Sequence, residues 1–132
     1  MYPDMNSKSA KIYAEACKYL PGGNTRRTIF MSPYQLYAAR GEGFKIIDVD
    51  GVVRLDFSNN ATSLIHGHAH PQVVAAVKEQ LVRGSAFTMA TESEVRLAQI
   101  LCERIPSVER VRFTNSGSEG VMTAIKAARA FT

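Results

Sequence analysis

The sequence predicts an α/β chain: a short N-terminal helix, a three-stranded antiparallel meander, then helices and the opening strand of a second sheet. Three observations lead there. Asp50-Gly51 lies between strand-like runs, a strong hairpin cue. Apolar residues return at helical spacing in several stretches, bounded by proline, glycine or capping residues. The stretch VRFTNSGSEGVMTAIKAARAF, Val111 to Phe131, sets an apolar run, a knot of small polar residues and a helical pattern side by side.

Each element has its own warrant. From about Ser7 to Leu20, residues Ile12, Tyr13, Ala16, Tyr19 and Leu20 keep helical spacing until Pro21-Gly22-Gly23 stops it. The loop PGGNTRRTIFMSP follows, then YQLYAARGEGFKIIDVDGVVRLDFSNN, which Gly41-Glu42-Gly43 and Asp50-Gly51 divide into three short strands. Pro71 stands where a first helical residue belongs, and Val74, Val77 and Leu81 line one face until Gly84. Thr91-Glu92-Ser93-Glu94 has capping-box spacing and opens a helix through Val95, Ala98, Leu101 and Ile105 to Pro106. VERVRFTN reads as a strand, and Val121, Met122, Ile125, Ala128 and Phe131 mark the face of a last helix. The chain stops on Ala130-Phe131-Thr132 with no cap or polar tail and one strand of the second sheet, so we expect a segment of a longer protein.

Composition narrows the function. At 132 residues the chain is one domain or a piece of one, and 45% hydrophobic with 21% charged residues calls for a packed core rather than disorder. The net charge of +4 comes from scattered basic residues, with Arg26-Arg27 the only adjacent pair, which argues against a nucleic-acid stripe. The N-terminus has no apolar h-region and no segment has the length of a membrane helix, so a cytoplasmic protein is expected. Cys17 and Cys102 have no CxxC partner and are expected to be buried reduced thiols.

The candidate sites carry two readings each. Ser116 to Glu119 fits a capping box, which needs no ligand. The same geometry lets the amides of Gly117 and Ser118 and two hydroxyls converge on an anion at the positive helix end. Walker A and the three-glycine dinucleotide fingerprint are both lacking, so a single terminal phosphate fits better than a pyrophosphate. On pattern alone, cap and phosphate site both stay open. His66, His68 and His70 at period two would share one strand face and offer imidazoles to a metal, but no carboxylate or cysteine lies close by and Pro71 begins a helix at once. We expect no metal there and a tight loop-to-helix turn instead. Arg26 and Arg27 could clamp a carboxylate bidentately or sit as solvated loop charges. Asp48, Asp50 and Asp56 look like hairpin residues.

Taken in order, LPGGNTRR, ARGEGFKIIDVDGVVRLDF, LIHGHAHPQVVAAV and VRFTNSGSEGVMTAIKAARAFT resemble the N-terminal third of the class III, pyridoxal-phosphate-dependent aminotransferases. The resemblance is closest to the branch holding glutamate-1-semialdehyde aminomutase and the β-amino-acid transaminases. It covers nearly the whole chain, and each motif is weak alone but strong in this order. It implies a fold-type-I (aspartate-aminotransferase-like) enzyme, with residues 1–65 as the N-terminal part of the small domain and 66–132 as the start of the cofactor-binding large domain. It maps the pyridoxal 5'-phosphate site onto Ser116, Gly117 and Ser118, where Ser118 replaces the usual Thr and keeps the hydroxyl.

By the same resemblance, Arg26, with Arg27 second, would bind the substrate carboxylate. The loop GGNTRR is shorter than the mutase pattern GGVNSPVR and favours a β-amino-acid transaminase. The implied reaction is transamination between an amino donor and a 2-oxo acid acceptor, in a homodimer where GSAFTMATE serves the interface. The family's Schiff-base lysine matches no lysine here; Lys126 follows the phosphate turn on its helix and would point away from it. The segment alone is therefore expected to be inactive. Gly120 stands where the family often has Ala, at a cost of up to about 1 kcal/mol to the helix. Two other classes are left to compete: a non-catalytic phosphate-binding βα module and a basic nucleic-acid-binding domain.

Overall fold

The computed structural model describes residues 2–26 and 30–132, which divide into two compact units, 1–83 and 84–132. Each is built around its own elements.

In the first unit, α1 spans Lys8–Ala16. Ser7 is its N-cap, and its Oγ accepts from the Ala10 amide at 3.1 Å. The two amides that precede it are satisfied from far away. Asp50 accepts from Lys8 N at 2.6 Å and Ser9 N at 3.1 Å, and from Ser9 Oγ at 2.7 Å. Orphan amides of a first turn must find such partners. The helix stops short of the expected Leu20 because the chain tightens at Cys17, and Pro21–Gly23 form a single 3-10 turn. A side chain at Gly23 would strike the Tyr13 ring at 2.5 Å, so this turn seats against the helix.

The meander is as expected: β1 (Ala38–Glu42), β2 (Lys45–Asp48) and β3 (Val53–Leu55) pair antiparallel in that order. Glu42 faces Lys45 and Arg40 faces Ile47 across the first hairpin, with a bulge at Ala39; Ile46 faces Arg54 across the second. Asp48 organises the second turn. Its Oδ1 accepts from the amides of Asp50 and Val52, and its Oδ2 takes both Nε and Nη2 of Arg54 at 3.0 and 2.9 Å. Gly51, at φ 82°, supplies the left-handed residue this turn needs. Burial in this unit centres on Ser9, Ala10, Tyr34 and Asp48, and the first turn of α1 is tied to the second hairpin turn through Asp50. The Tyr34 hydroxyl accepts from Asp4 N and donates to Asp4 O, tying down the residues before α1. The unit closes with α2 (Pro71–Arg83), whose Val73, Val77 and Leu81 are exposed.

The second unit holds α3 (Glu92–Arg104) and α4 (Gly117–Phe131). Thr91 caps α3 through Oγ1 to Glu94 N at 3.4 Å, as the capping-box spacing predicts. The strand read over VERVRFTN is corrected: residues 111–114 take part in no ladder, because among the described residues no strand lies beside them. A strand's amides and carbonyls need a neighbour, which its own apolar pattern cannot supply. Val111 and Phe113 instead border a recess shared with Val95 and Ala98 of α3.

The cysteines also depart from expectation. Both are free, but Cys17 is exposed and Cys102 half-buried. Cys17 lies just past the end of α1, beside the Pro21–Gly23 turn, where a Cβ on Gly23 would come within 2.8 Å of its Sγ. Among the described residues no helix is long and apolar enough to cross a membrane.

Candidate functional site

The Ser116–Ser118 junction lies in the second unit. Ser116 is the N-cap of α4, with φ −152° and ψ 160°, and its Oγ accepts from Glu119 N at 3.3 Å. Glu119 Oε2 reaches back to the Asn115 amide at 2.8 Å, one residue earlier than a capping box requires. Thr114 Oγ1 donates to the Ser116 carbonyl at 3.2 Å. These bonds hold the turn and draw the Glu119 carboxylate back along the chain.

The amides of Gly117 and Ser118 open the helix ahead of any intrahelical acceptor, at its positive end. A Cβ on Gly117 would meet no atom within 4 Å, so this flank is open to a ligand. Two N–H donors and two hydroxyls on small residues are the donor set that a phosphate monoester dianion takes. The junction therefore fits a phosphate while its cap is made. Lys126 lines a separate recess with Thr114, Asn115 and Glu119.

Arg26 belongs to the first unit, where Nη1 donates to Asn60 Oδ1 at 3.1 Å. It is exposed, and among the described residues its side-chain hydrogen bond is to that amide oxygen. Arg27 lies outside the described residues. Asn60 sits in a turn over Asn59–Thr62 whose four φ angles run from 48° to 67°, a left-handed path that Asn tolerates better than most residues.

The histidines do not share a face. Gly67 at φ 76° and Ala69 at φ 51° break the period-two alternation. His66 and His70 pack ring to ring with centroids 5.1 Å apart. His68 exchanges backbone hydrogen bonds with Gly43 at 2.8 and 2.9 Å, and its Nε2 lies 2.7 Å from Asp56 Oδ2. The carboxylate only accepts, so Nε2 carries the proton. The histidines thus serve the loop-to-helix turn, and the carboxylate partner comes from the end of the meander.

Asp56 also accepts from the amides of Ser58 and Asn59 at 3.0 and 2.9 Å. Hydrogen bonding from His68, then from the Asn59 amide, holds its carboxyl below the ordinary 3.8. Asp50 is held below 3.8 as well, first by the Ser9 hydroxyl and then, against some desolvation, by the amides of Lys8 and Ser9. Asp48, Asp50 and Asp56 are hairpin residues, as read; Asp48 holds its own turn, while Asp50 and Asp56 also fix more distant parts of the chain. Asn60 and the Asp56–His68 pair escaped the sequence reading. The Asn59-Asn60 doublet was the available signal, since consecutive Asn residues suit a left-handed turn.

The first unit's antiparallel meander and the second unit's capped, phosphate-ready helix start make up a partial fold-type-I architecture. The chain belongs to the class III aminotransferases: the family model described as Aminotransferase class-III matches residues 30–132. Among solved structures, an omega-transaminase from Sphaerobacter thermophilus is 56% identical with a TM-score of 0.94, covering 99% of this chain and 30% of that one. Among curated relatives, the glutamate-1-semialdehyde 2,1-aminomutase of Methanothermobacter thermautotrophicus is 44% identical over 125 residues, 95% of this chain and 30% of the relative. The beta-phenylalanine transaminase of Variovorax paradoxus is 39% identical over 131 residues, 99% of this chain and 30% of the relative. The chain thus spans about 30% of the length of the curated relatives it matches.

Proposed function

We propose that this chain is the N-terminal part of a pyridoxal 5'-phosphate-dependent transaminase that moves an amino group between a β-amino acid and a 2-oxo acid. The observation that carries the reading is the α4 start. Ser116, Gly117 and Ser118 present two hydroxyls and two unpaired first-turn amides at a positive helix end, in a chain of the class III family. When bound there, the cofactor's ring serves as the electron sink for the amino carbon.

The chain's own residues bind and orient. The hydroxyls and amides of Ser116–Ser118 grip the phosphate. Glu119 stays folded back on Asn115, so its carboxylate is engaged by a backbone amide. Arg26 takes the substrate carboxylate through N–H groups that Asn60 leaves free, with Arg27 as the second choice. Residues 1–65 are read as the start of the small domain and 66–132 as the start of the large one, with the lysine that joins the cofactor outside this segment. The segment alone should therefore be inactive. Exposed Phe87 and Met89 support a homodimer interface over GSAFTMATE, Gly84 to Glu92, in a cytoplasmic enzyme.

The mutase is the second reading, favoured by the 44% identity to an archaeal glutamate-1-semialdehyde 2,1-aminomutase. A 2,1-aminomutase relocates its amino group within one substrate skeleton and has no net need of a separate acceptor. The test is the visible spectrum of the full-length protein before and after borohydride, then amine turnover with and without a 2-oxo acid. A yellow band fixed by borohydride, with turnover that requires the 2-oxo acid, is expected. A colourless protein with added cofactor would refute the reading, and acceptor-independent isomerisation of glutamate-1-semialdehyde would select the mutase.

A further inference from the structure

We infer that Asn60 is the positioning residue for Arg26, and that the left-handed turn Asn59–Thr62 makes the enzyme selective for amino donors that carry a carboxylate. This rests on the reading of Arg26 as the carboxylate ligand.

The turn is unusual and firmly held. Asn59, Asn60, Ala61 and Thr62 stand at φ 48°, 49°, 55° and 67°, a region where side chains other than Gly or Asn are disfavoured. Such a path persists only where its surroundings fix it, and strain of this kind gathers at ligand clamps. The fixing bonds are all present. Asp56 Oδ1 accepts from Ser58 N and Asn59 N, and Asp56 Oδ2 faces His68 Nε2. Thr62 N donates to Ser58 O at 3.1 Å, and Leu64 N to Asn59 O at 3.3 Å. Ser63 Oγ donates to Asn60 O at 2.9 Å and accepts from Asn60 Nδ2 at 3.1 Å.

The last pair decides the orientation of the amide. With Nδ2 committed to Ser63, Oδ1 is turned outward, and it accepts from Arg26 Nη1 at 3.1 Å. Arg26 has no carboxylate partner among the described residues, so the neutral amide holds the guanidinium without neutralising it. One of its five N–H groups is used, which leaves an edge of the planar fork for a bidentate carboxylate. A long, exposed arginine loses rotamer freedom on capturing an anion; a fixed acceptor removes part of that loss beforehand. A donor without a carboxylate gains nothing from it.

The experiment uses the full-length holoenzyme with two donors that differ only in the carboxylate: β-phenylalanine and 1-phenylethylamine, each with a 2-oxo acid. Asn60→Gly removes the acceptor together with the Nδ2 bond to Ser63. Glycine accepts φ 49° without strain, and the bond from Ser63 Oγ to the residue-60 carbonyl and the backbone bonds remain to hold the turn. KM for β-phenylalanine should rise about tenfold, the lower end for a hydrogen bond to a charged group. The kcat should stay within about twofold, and the kinetics with 1-phenylethylamine should not move. Adding Asn60→Gly to Arg26→Ala should do no further harm, because the amide acts only through the arginine. If Arg26→Ala raises KM for β-phenylalanine and Asn60→Gly does not, the positioning role is overturned while the proposed function stands. Equal losses on both donors in Asn60→Gly would mean a merely structural turn and overturn it as well. If Arg26→Ala spares β-phenylalanine, the carboxylate role passes to Arg27 and the positioning role of Asn60 is overturned; if the wild type turns over neither donor, the functional reading itself fails.

Discussion

Substituting Gly41 probes the contact that joins the meander to the turn before α2. A Cβ built on Gly41 lies 2.4 Å from His68 Cγ and 2.6 Å from its Nδ1, where ordinary contact starts at 3.4 Å, so the ring must retreat about 1 Å. It cannot do so freely. Its backbone is bridged to Gly43, and a shift of that size would disturb the 2.7 Å Asp56 contact, stretching it by up to about 1 Å. Overpacking against a tethered ring costs about 1–3 kcal/mol. Urea unfolding of Gly41→Ala, followed by circular dichroism, should show a lower midpoint at an unchanged slope. In a His68→Gly background the clashing atoms, including the His68 Cβ at 2.7 Å, are gone and alanine is the better strand residue, so the same substitution should stabilise by about 0.5–1 kcal/mol. A change of sign between backgrounds is the signature of direct coupling. Equal effects in both backgrounds would refute the geometry.

Other substitutions read other parts of the chain. Ser118→Ala should weaken cofactor binding about tenfold and leave the cofactor-free protein's stability within about 0.5 kcal/mol, whereas Ser116→Ala should also lose a cap, at about 1 kcal/mol; titrating both apoproteins with pyridoxal phosphate and urea separates the two. Gly120→Ala should stabilise α4 by up to about 1 kcal/mol, measured as a rise in the urea midpoint, because the added methyl meets only Thr114 Oγ1, at an ordinary 3.5 Å. Asp50 and Asp56 both have folded pKa values below the ordinary 3.8, so their stabilisation is full above that value and is lost as pH falls through the lowered ones. Acid unfolding of Asp50→Asn and Asp56→Asn should accordingly depend less steeply on pH than the wild type, and matching slopes would count against these bonds.

What the sequence disclosed was local. Thr91 and Ser116 cap their helices across three residues, and the turn at Gly51 lies within the second hairpin, so short-range pattern found them. The bonds that shape the candidate carboxylate site span much longer separations: 34 residues from Arg26 to Asn60 and 12 from Asp56 to His68. Nothing in the neighbourhood of either residue announces its partner. VERVRFTN shows the complementary limit, since strand propensity belongs to the segment and a ladder to a pair. The family resemblance supplied roles for Ser116 and Arg26, but it offered no hint of the amide that holds Arg26.

The remote cap on α1 also sets an order of events. A nine-residue helix is marginal by itself, and two of its first amides wait for Asp50, more than forty positions later. At about 5–20 residues per second of synthesis, α1 stays frayed for about 2–8 s after it is made, until the second hairpin emerges to receive it. Its docking is a high-contact-order step that follows local hairpin closure. α1 is thus made before the meander yet fixed only after the meander's second turn has formed.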